Sequence, residues 1–248
     1  MKTFFIALQF LTRLPVKINS EILEKDLNNS LFFFPLVGGI IGAILLIPLL
    51  LIHIFPIKLI VVLILTLQAF ITGCLHLDGF ADTIDGFYGG KSKERILEIM
   101  KDSRIGSIGV IGLIILILLK VELLSSLEIE ILWKGIISMM VFSRFIQVFL
   151  CNIYSYAREF GKAKHFIGNK NYIQILVTFI FTVAIIYILF GYLGIILISL
   201  SFIPVYIYSV IIYRRIGGMT GDTIGAASEI SEVVMLTTIL TFSKLLLT

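Results

Sequence analysis

The stretch TGCLHLDGFADTIDGFYGG, Thr72 to Gly90, places Asp78, Asp82 and Asp85 where a long apolar run ends. Spaced i, i+4 and i+7, the three share one face if the segment is helical. Like charges on one face repel, and no Lys or Arg lies between Thr72 and Gly90 to offset them. A hard divalent cation would do so, because Mg²⁺ takes carboxylate oxygens and bridges them to phosphate groups. A solvated acidic turn without a ligand is the plain alternative. No HExxH-like pair exists and the three histidines read as non-ligands; His53 and His165 are isolated, and His76, two residues before Asp78, is the exception its position allows.

Other charged stretches could serve the same chemistry. KSKERILEIMKDSR, Lys91 to Arg104, mixes apolar and charged residues as an interfacial helix does. Its cations either touch anionic lipid or, at Lys101 and Arg104, bind phosphate. YAREFGKAKHF sets Arg158, Lys162 and Lys164 among aromatic residues. RRIGGMTGDTIGAASEISE combines Arg214 and Arg215 with a glycine-rich turn, then Asp222, Glu229 and Glu232. The glycines match neither a P-loop nor a dinucleotide fingerprint. Carboxylates that hold a metal, and a metal and arginines that hold phosphate, together suggest a phosphate-bearing substrate. Near-octahedral Mg²⁺ cannot be enclosed by one helical face, so Asp222 is expected to complete the aspartate site. The alternative is that Asp222 caps the last helix.

The elements that must position these residues follow from composition. The 248 residues are 58% hydrophobic and 15% charged, with mean hydropathy +1.07. Soluble domains carry about 25% charged residues, so the expected class is an all-α polytopic membrane protein, one transmembrane catalytic domain over 1–248. Seven spans are predicted at Leu31–Phe55, Ile57–Leu77, Ile105–Leu124, Ile131–Tyr154, Tyr172–Phe190, Tyr192–Tyr213 and Ile230–Leu247. With the N-terminus inside, fifteen Lys and Arg fall in inner segments. Lys58, Lys120, Lys134 and Lys244 fall outside, and Arg144 lies within a span. That bias predicts a cytoplasmic N-terminus and puts the aspartates at the cytoplasmic face, near Leu77 where a straight second span would emerge. Cys74 and Cys151 read as small buried apolar residues rather than a disulfide or metal pair. The first residues lack a cleavage-site pattern and read as a short interfacial helix ended before Pro15.

Six blocks resemble the cobalamin synthase family, the adenosylcobinamide-GDP ribazoletransferases. They are ALQFLTRLPV (Ala7–Val16), FPLVGGIIG (Phe34–Gly42), HLDGFADTIDGF (His76–Phe87), EIMKDSRIGSIGV (Glu98–Val110), YAREFG (Tyr156–Gly161) and GGMTGDTIGAASEISE (Gly217–Glu232). They stand in the family's order across nearly the whole chain. The one small departure is Ser155 before Tyr156, where the family pattern has proline. The resemblance implies an integral membrane enzyme that is Mg²⁺-dependent. It would join α-ribazole or its 5′-phosphate to adenosylcobinamide-GDP, giving adenosylcobalamin or its 5′-phosphate and GMP. It implies metal binding at Asp78, Asp82 and Asp85, any of which could accept the hydroxyl proton, and at Asp222. It also implies substrate contacts at His76, Lys101, Arg104, Arg158, Asp222 and Glu229, and a role for Asp102 either on Arg104 or on the metal. No nucleic-acid partner is implied; lipid contact is, and a homo-oligomer is compatible. Two rivals differ in detail. CDP-alcohol phosphotransferases place arginine after the alanine of a DGxxAR core, where this chain has Asp82 after Ala81. A transporter would carry its charges near the bilayer midplane, whereas here only Arg144 is expected within a span.

Overall fold

The computed structural model describes residues 1–246. These residues form eleven α-helices and no β-strand. In chain order they are α1 (Lys2–Leu11), α2 (Glu24–Ser30), α3 (Phe34–Ile44), α4 (Ile57–Thr72), α5 (Leu75–Gly89), α6 (Lys93–Ile99), α7 (Ser107–Ser125), α8 (Ile129–Ile153), α9 (Tyr172–Phe190), α10 (Tyr192–Ile216) and α11 (Gly221–Leu246). Six segments are long and apolar enough to cross a bilayer: Glu24–Leu51, α7, α8, α9, α10 and Gly221–Ser243 of α11. The pair α4 and α5 makes a seventh when counted as one bent span. The polytopic all-α expectation therefore holds. Helix α8 is buried along most of its length and forms the centre, with α3 and α11 packed on it. On the periphery α7, α9 and α10 turn residues such as Leu118, Ile188 and Ile203 outward, as a lipid-facing surface requires.

The first span runs Glu24–Leu51 rather than Leu31–Phe55, and two further boundaries differ from those predicted, each for a local reason. The second span is not straight from Ile57 to Leu77. It stops at Thr72, and Gly73 and Cys74 both adopt left-handed backbone, φ 61° and 58°. The chain then turns by 91° into α5. Cys74 is exposed at this corner, not buried as expected, while Cys151 is buried. The last span begins at Gly221 rather than Ile230. Its start is fixed by a reciprocal cap in which Thr220 N–H donates to Thr223 Oγ1 (2.9 Å) and Thr223 N–H donates to Thr220 Oγ1 (3.1 Å). Most of the expected loop from Arg214 to Glu229 is thus helical, and Thr220 takes the capping role that was the alternative for Asp222. The predicted last residue of this span, Leu247, lies outside the described residues.

The bent pair matters because α5 packs along both α7 and α11. Gly79 allows the close approach to α11: a Cβ there would lie 2.8 Å from the Asp222 carbonyl oxygen. Any side chain at 79 would push the aspartate helix off the start of α11.

Farther along these helices lies a cluster of charge that the sequence reading placed differently. Lys120, counted among the outside charges, is buried within α7. Its Nζ donates to Glu229 (2.5 Å) and Glu232 (2.6 Å) of α11. Arg144 of α8, fully buried, lies 3.5 Å from Glu232. Gln68 of α4 donates to Glu232 at 2.7 Å. At 1.5 Å per residue, Glu229 and Glu232 sit roughly 12 and 17 Å along α11 from Gly221, well inside its stretch long and apolar enough to cross a bilayer. The expectation that Arg144 alone is charged within a span is therefore wrong. Two cations and two anions cancel, which is how a low-dielectric interior tolerates them. Lys120→Met leaves two carboxylates facing one arginine. The expected outcome is a loss of roughly 3–5 kcal/mol of stability, read as a lowered Tm of the detergent-purified protein.

Candidate active site

The ends of α1, α3, α5, α8 and α11 and the segment after α8 meet around one cavity. Asp78, Asp82 and Asp85 lie in a single helix that ends at Gly89, as their spacing predicted. Asp78 is exposed, and Asp82 and Asp85 are half-buried. Asp85 has a distinct task. Its oxygens accept the backbone N–H groups of Gly106 (2.7 Å) and Gly109 (2.8 Å), so its carboxylate tops the N-terminus of α7. The carboxylates of Asp78 and Asp82 have no hydrogen-bond partner among the described residues. Asp82 stands in the field of Asp78, Asp222 and Asp85, with Arg158 as the opposing charge.

Asp222 comes from the first turn of α11. It accepts a 2.9 Å ion pair from Arg158. Backbone pairing brings these two loops together: Ala157 N–H donates to the Met219 carbonyl, and Met219 N–H donates to the Ser155 carbonyl, both at 2.9 Å. Arg158 Nη2 also reaches the Met100 carbonyl, at 3.5 Å, and its buried Nε has no partner among the described residues. Burial pushes the neighbouring Tyr156 phenol above its ordinary pKa, with Arg158 partly opposing. Tyr156 therefore remains a hydrogen-bond donor.

A cavity of about 330 Å³ opens here, lined by His76, Asp78, Gln147, Arg158 and Asp222 on its polar side. His76 is buried, and its Nε2 pairs with Gln147 Nε2 at 2.8 Å. Gln147 in turn donates to Ser228 Oγ, which also accepts from Arg144.

The remaining predicted residues fall outside the cavity. Glu229 is bound to Lys120 below it, so the geometry gives it a structural partner rather than a place among the cavity groups. Lys101, Asp102 and Arg104 are exposed on the loop before α7. Arg104 donates to Asp102 through its backbone N, Nε and Nη2, at 3.0, 3.1 and 2.8 Å. Those bonds hold the Asp102 carboxyl down to about 2. Gln147 and Tyr156 were missed by the sequence reading: a polar residue in an apolar helix and a tyrosine in a loop carry no spacing signal.

The donor set fits Mg²⁺. Asp78 and Asp82 are one helical turn apart and Asp222 approaches from another helix, all hard oxygen donors. No three Asp, Glu, His or Cys side chains among the described residues are gathered tightly enough to enclose an ion alone. Mg²⁺ does not require that, since it retains water and takes one or two carboxylates together with substrate phosphates. Arg158, paired with Asp222 and lining the cavity, supplies positive charge for such a phosphate.

Residues 3–240 match the family model described as cobalamin-5-phosphate synthase. The chain is 36% identical over 244 residues to an adenosylcobinamide-GDP ribazoletransferase from Clostridium novyi, covering 98% of each. A Clostridium botulinum (strain Langeland) protein of the same name is 39% identical, over 95% of this chain and 96% of its own. One from Fusobacterium nucleatum is 37% identical, over 94% and 95%. No solved structure matches the chain.

Proposed function

The chain belongs to the cobalamin-5-phosphate synthase family, and from that premise we propose that it joins α-ribazole, or its 5′-phosphate, to adenosylcobinamide-GDP with release of GMP. The observation that carries the reading is the meeting of Asp78 with the Arg158–Asp222 pair over one cavity, with Asp82 one helical turn along α5 in the field of all three. A ribazole hydroxyl attacks the phosphorus attached to cobinamide, a P–O bond forms, and the bond to the GMP oxygen breaks. Such transfers are catalysed chiefly by positioning and by stabilising charge.

Each residue has a part in this account. Asp78 and Asp82, with Asp222, would hold Mg²⁺, which when bound spreads the negative charge that develops on the diphosphate oxygens. Arg158, anchored by Asp222, presents its guanidinium charge to the diphosphate. Lys101 and Arg104, the latter aimed by Asp102, receive the diphosphate from the solvent side. Asp78, exposed and unpaired, is the carboxylate best placed to accept the hydroxyl proton. Asp85 acts through α7, whose N-terminus it holds. The site lies at the cytoplasmic face in this reading, on the strength of the excess of Lys and Arg in segments on the aspartate side, fifteen against Lys58, Lys134 and Lys244 once Lys120 is placed within α7. The intramembrane cluster, although it sits where a transporter's charges would, is closed on itself by direct ion pairs.

Purified protein in detergent, without a second compartment, is expected to turn adenosylcobinamide-GDP and α-ribazole into equal amounts of GMP and joined corrinoid. GMP release that does not need α-ribazole, or no turnover outside a sealed membrane, would contradict the reading.

A further inference from the structure

The cavity has an aromatic end that this chemistry leaves unused. Phe10 of α1, Phe34 of α3 and Phe166, which follows the 3₁₀ turn Lys162–His165, form one continuous wall. Ring centroids are 4.6 Å apart for Phe10 and Phe166, 5.9 Å for Phe10 and Phe34, and 6.3 Å for Phe34 and Phe166. Leu75, Cys151 and Ile167 extend the apolar lining. Three elements distant in sequence thus bring rings into a cavity that Asp78, Arg158 and Asp222 also line. Its volume, about 330 Å³, is at the small end of ligand pockets, which run from ~300 to ~1,000 Å³. A nucleoside-sized group fits; a corrin macrocycle does not.

Resting on the function proposed above, we propose that the Phe10–Phe34–Phe166 wall binds the heteroaromatic base of the acceptor nucleoside, the dimethylbenzimidazole of α-ribazole. With the base stacked there, the attached ribose extends toward Asp78 and Asp222, where its hydroxyl must react. The donor offers another flat base, guanine, and the two differ in what they ask of the wall. Guanine carries a carbonyl, a ring N–H and an amino group on its edge. Burying these against Phe, Leu and Ile side chains leaves them without hydrogen bonds, which is costly. Dimethylbenzimidazole presents methyl groups and ring carbons to the same surface and keeps one ring nitrogen to be satisfied. Two polar groups of the lining, His76 and Gln147, are already paired with each other. The pocket therefore suits the apolar base, and the corrinoid and its guanosine remain on the solvent side of the metal site.

The test is isothermal titration of α-ribazole, and separately of GMP, into detergent-purified wild type, Phe10→Ala, Phe10→Tyr and Phe166→Leu, with KM measured for both substrates. Phe10 is 39% exposed, so removing its ring disturbs the core least, whereas Phe166 is 5% exposed. Phe10→Ala and Phe166→Leu are each expected to weaken α-ribazole, in Kd or KM, roughly tenfold, the size of one lost base–aromatic stack. Phe10→Tyr keeps a ring and is expected to restore most of that affinity. KM for adenosylcobinamide-GDP is expected to stay within about twofold. A tenfold loss confined to GMP or to adenosylcobinamide-GDP would assign the wall to guanine and overturn the inference. Unchanged α-ribazole affinity in Phe10→Ala and Phe166→Leu would overturn it as well. In both cases wild-type turnover would leave the proposed reaction standing. Wild type that neither binds α-ribazole nor releases GMP would instead remove the reaction itself.

Discussion

Asp82→Asn is expected to lower kcat/KM by at least about a hundredfold while leaving the Tm unchanged or slightly raised. Asp82 is half-buried on α5 and feels Asp78, Asp85 and Asp222 at once. The asparagine is nearly the same shape, so packing survives. Neutralising one of several crowded carboxylates relieves repulsion, so stability does not fall. What is lost is a ligand for Mg²⁺, and with it charge stabilisation of the transition state. Removing one well-placed stabilising group costs ~10²–10³ in rate in enzymes where it has been separated from binding. Part of the loss should be recovered at high Mg²⁺ if affinity rather than geometry is the main deficit. Wild-type kcat/KM at limiting Mg²⁺, with the Tm held, would remove Asp82 from the site.

The second large effect separates two neighbours. Asp222→Asn is expected to cost a hundredfold or more in kcat/KM with a small change in Tm. The variant withdraws a metal ligand and also frees Arg158, whose guanidinium the 2.9 Å pair holds toward the cavity. Thr220→Ala, two residues earlier, is expected to do the reverse. It breaks the reciprocal cap with Thr223, lowers stability by ~1 kcal/mol, and changes kcat/KM only a few-fold. Measuring kcat/KM and Tm for both settles whether Asp222 serves the reaction or only the helix end. A near-normal rate for Asp222→Asn would return it to a structural role.

Much of this arrangement is legible in the sequence, and the rest is hidden for identifiable reasons. Long apolar runs mark crossings because a bilayer demands them, so α9 is read to the residue, Tyr172–Phe190. The i, i+4, i+7 spacing of Asp78, Asp82 and Asp85 needs only a helix to become a shared face, and α5 supplies it. The 91° corner before α5 is not legible, because Cys74 adopts a left-handed φ that its residue type does not advertise. The early start of α11 is missed for a different reason. Gly, Thr and Ser there look like a loop, yet in a packed bundle small residues let helices approach closely. Lys120 and Glu229 mislead most. Each reads as a charge near the end of an apolar segment, and only their burial opposite each other turns them into an ion pair. The partner of a lone charge in a span lies across the fold, and local pattern carries no information about it. The same holds for the Phe10, Phe34 and Phe166 wall, whose members look like any membrane phenylalanines.

The central claim is that the carboxylates of α5 and α11 gather a divalent ion and the diphosphate of adenosylcobinamide-GDP at one place. The most direct measurement replaces Mg²⁺ by Mn²⁺ and records the hyperfine coupling between the bound ion and ³¹P of the substrate, in wild type, Asp82→Asn and Asp222→Asn. The account predicts a resolved Mn²⁺–³¹P coupling in wild type that is lost or strongly weakened in both variants. The same coupling at undiminished occupancy in Asp82→Asn and Asp222→Asn would contradict it.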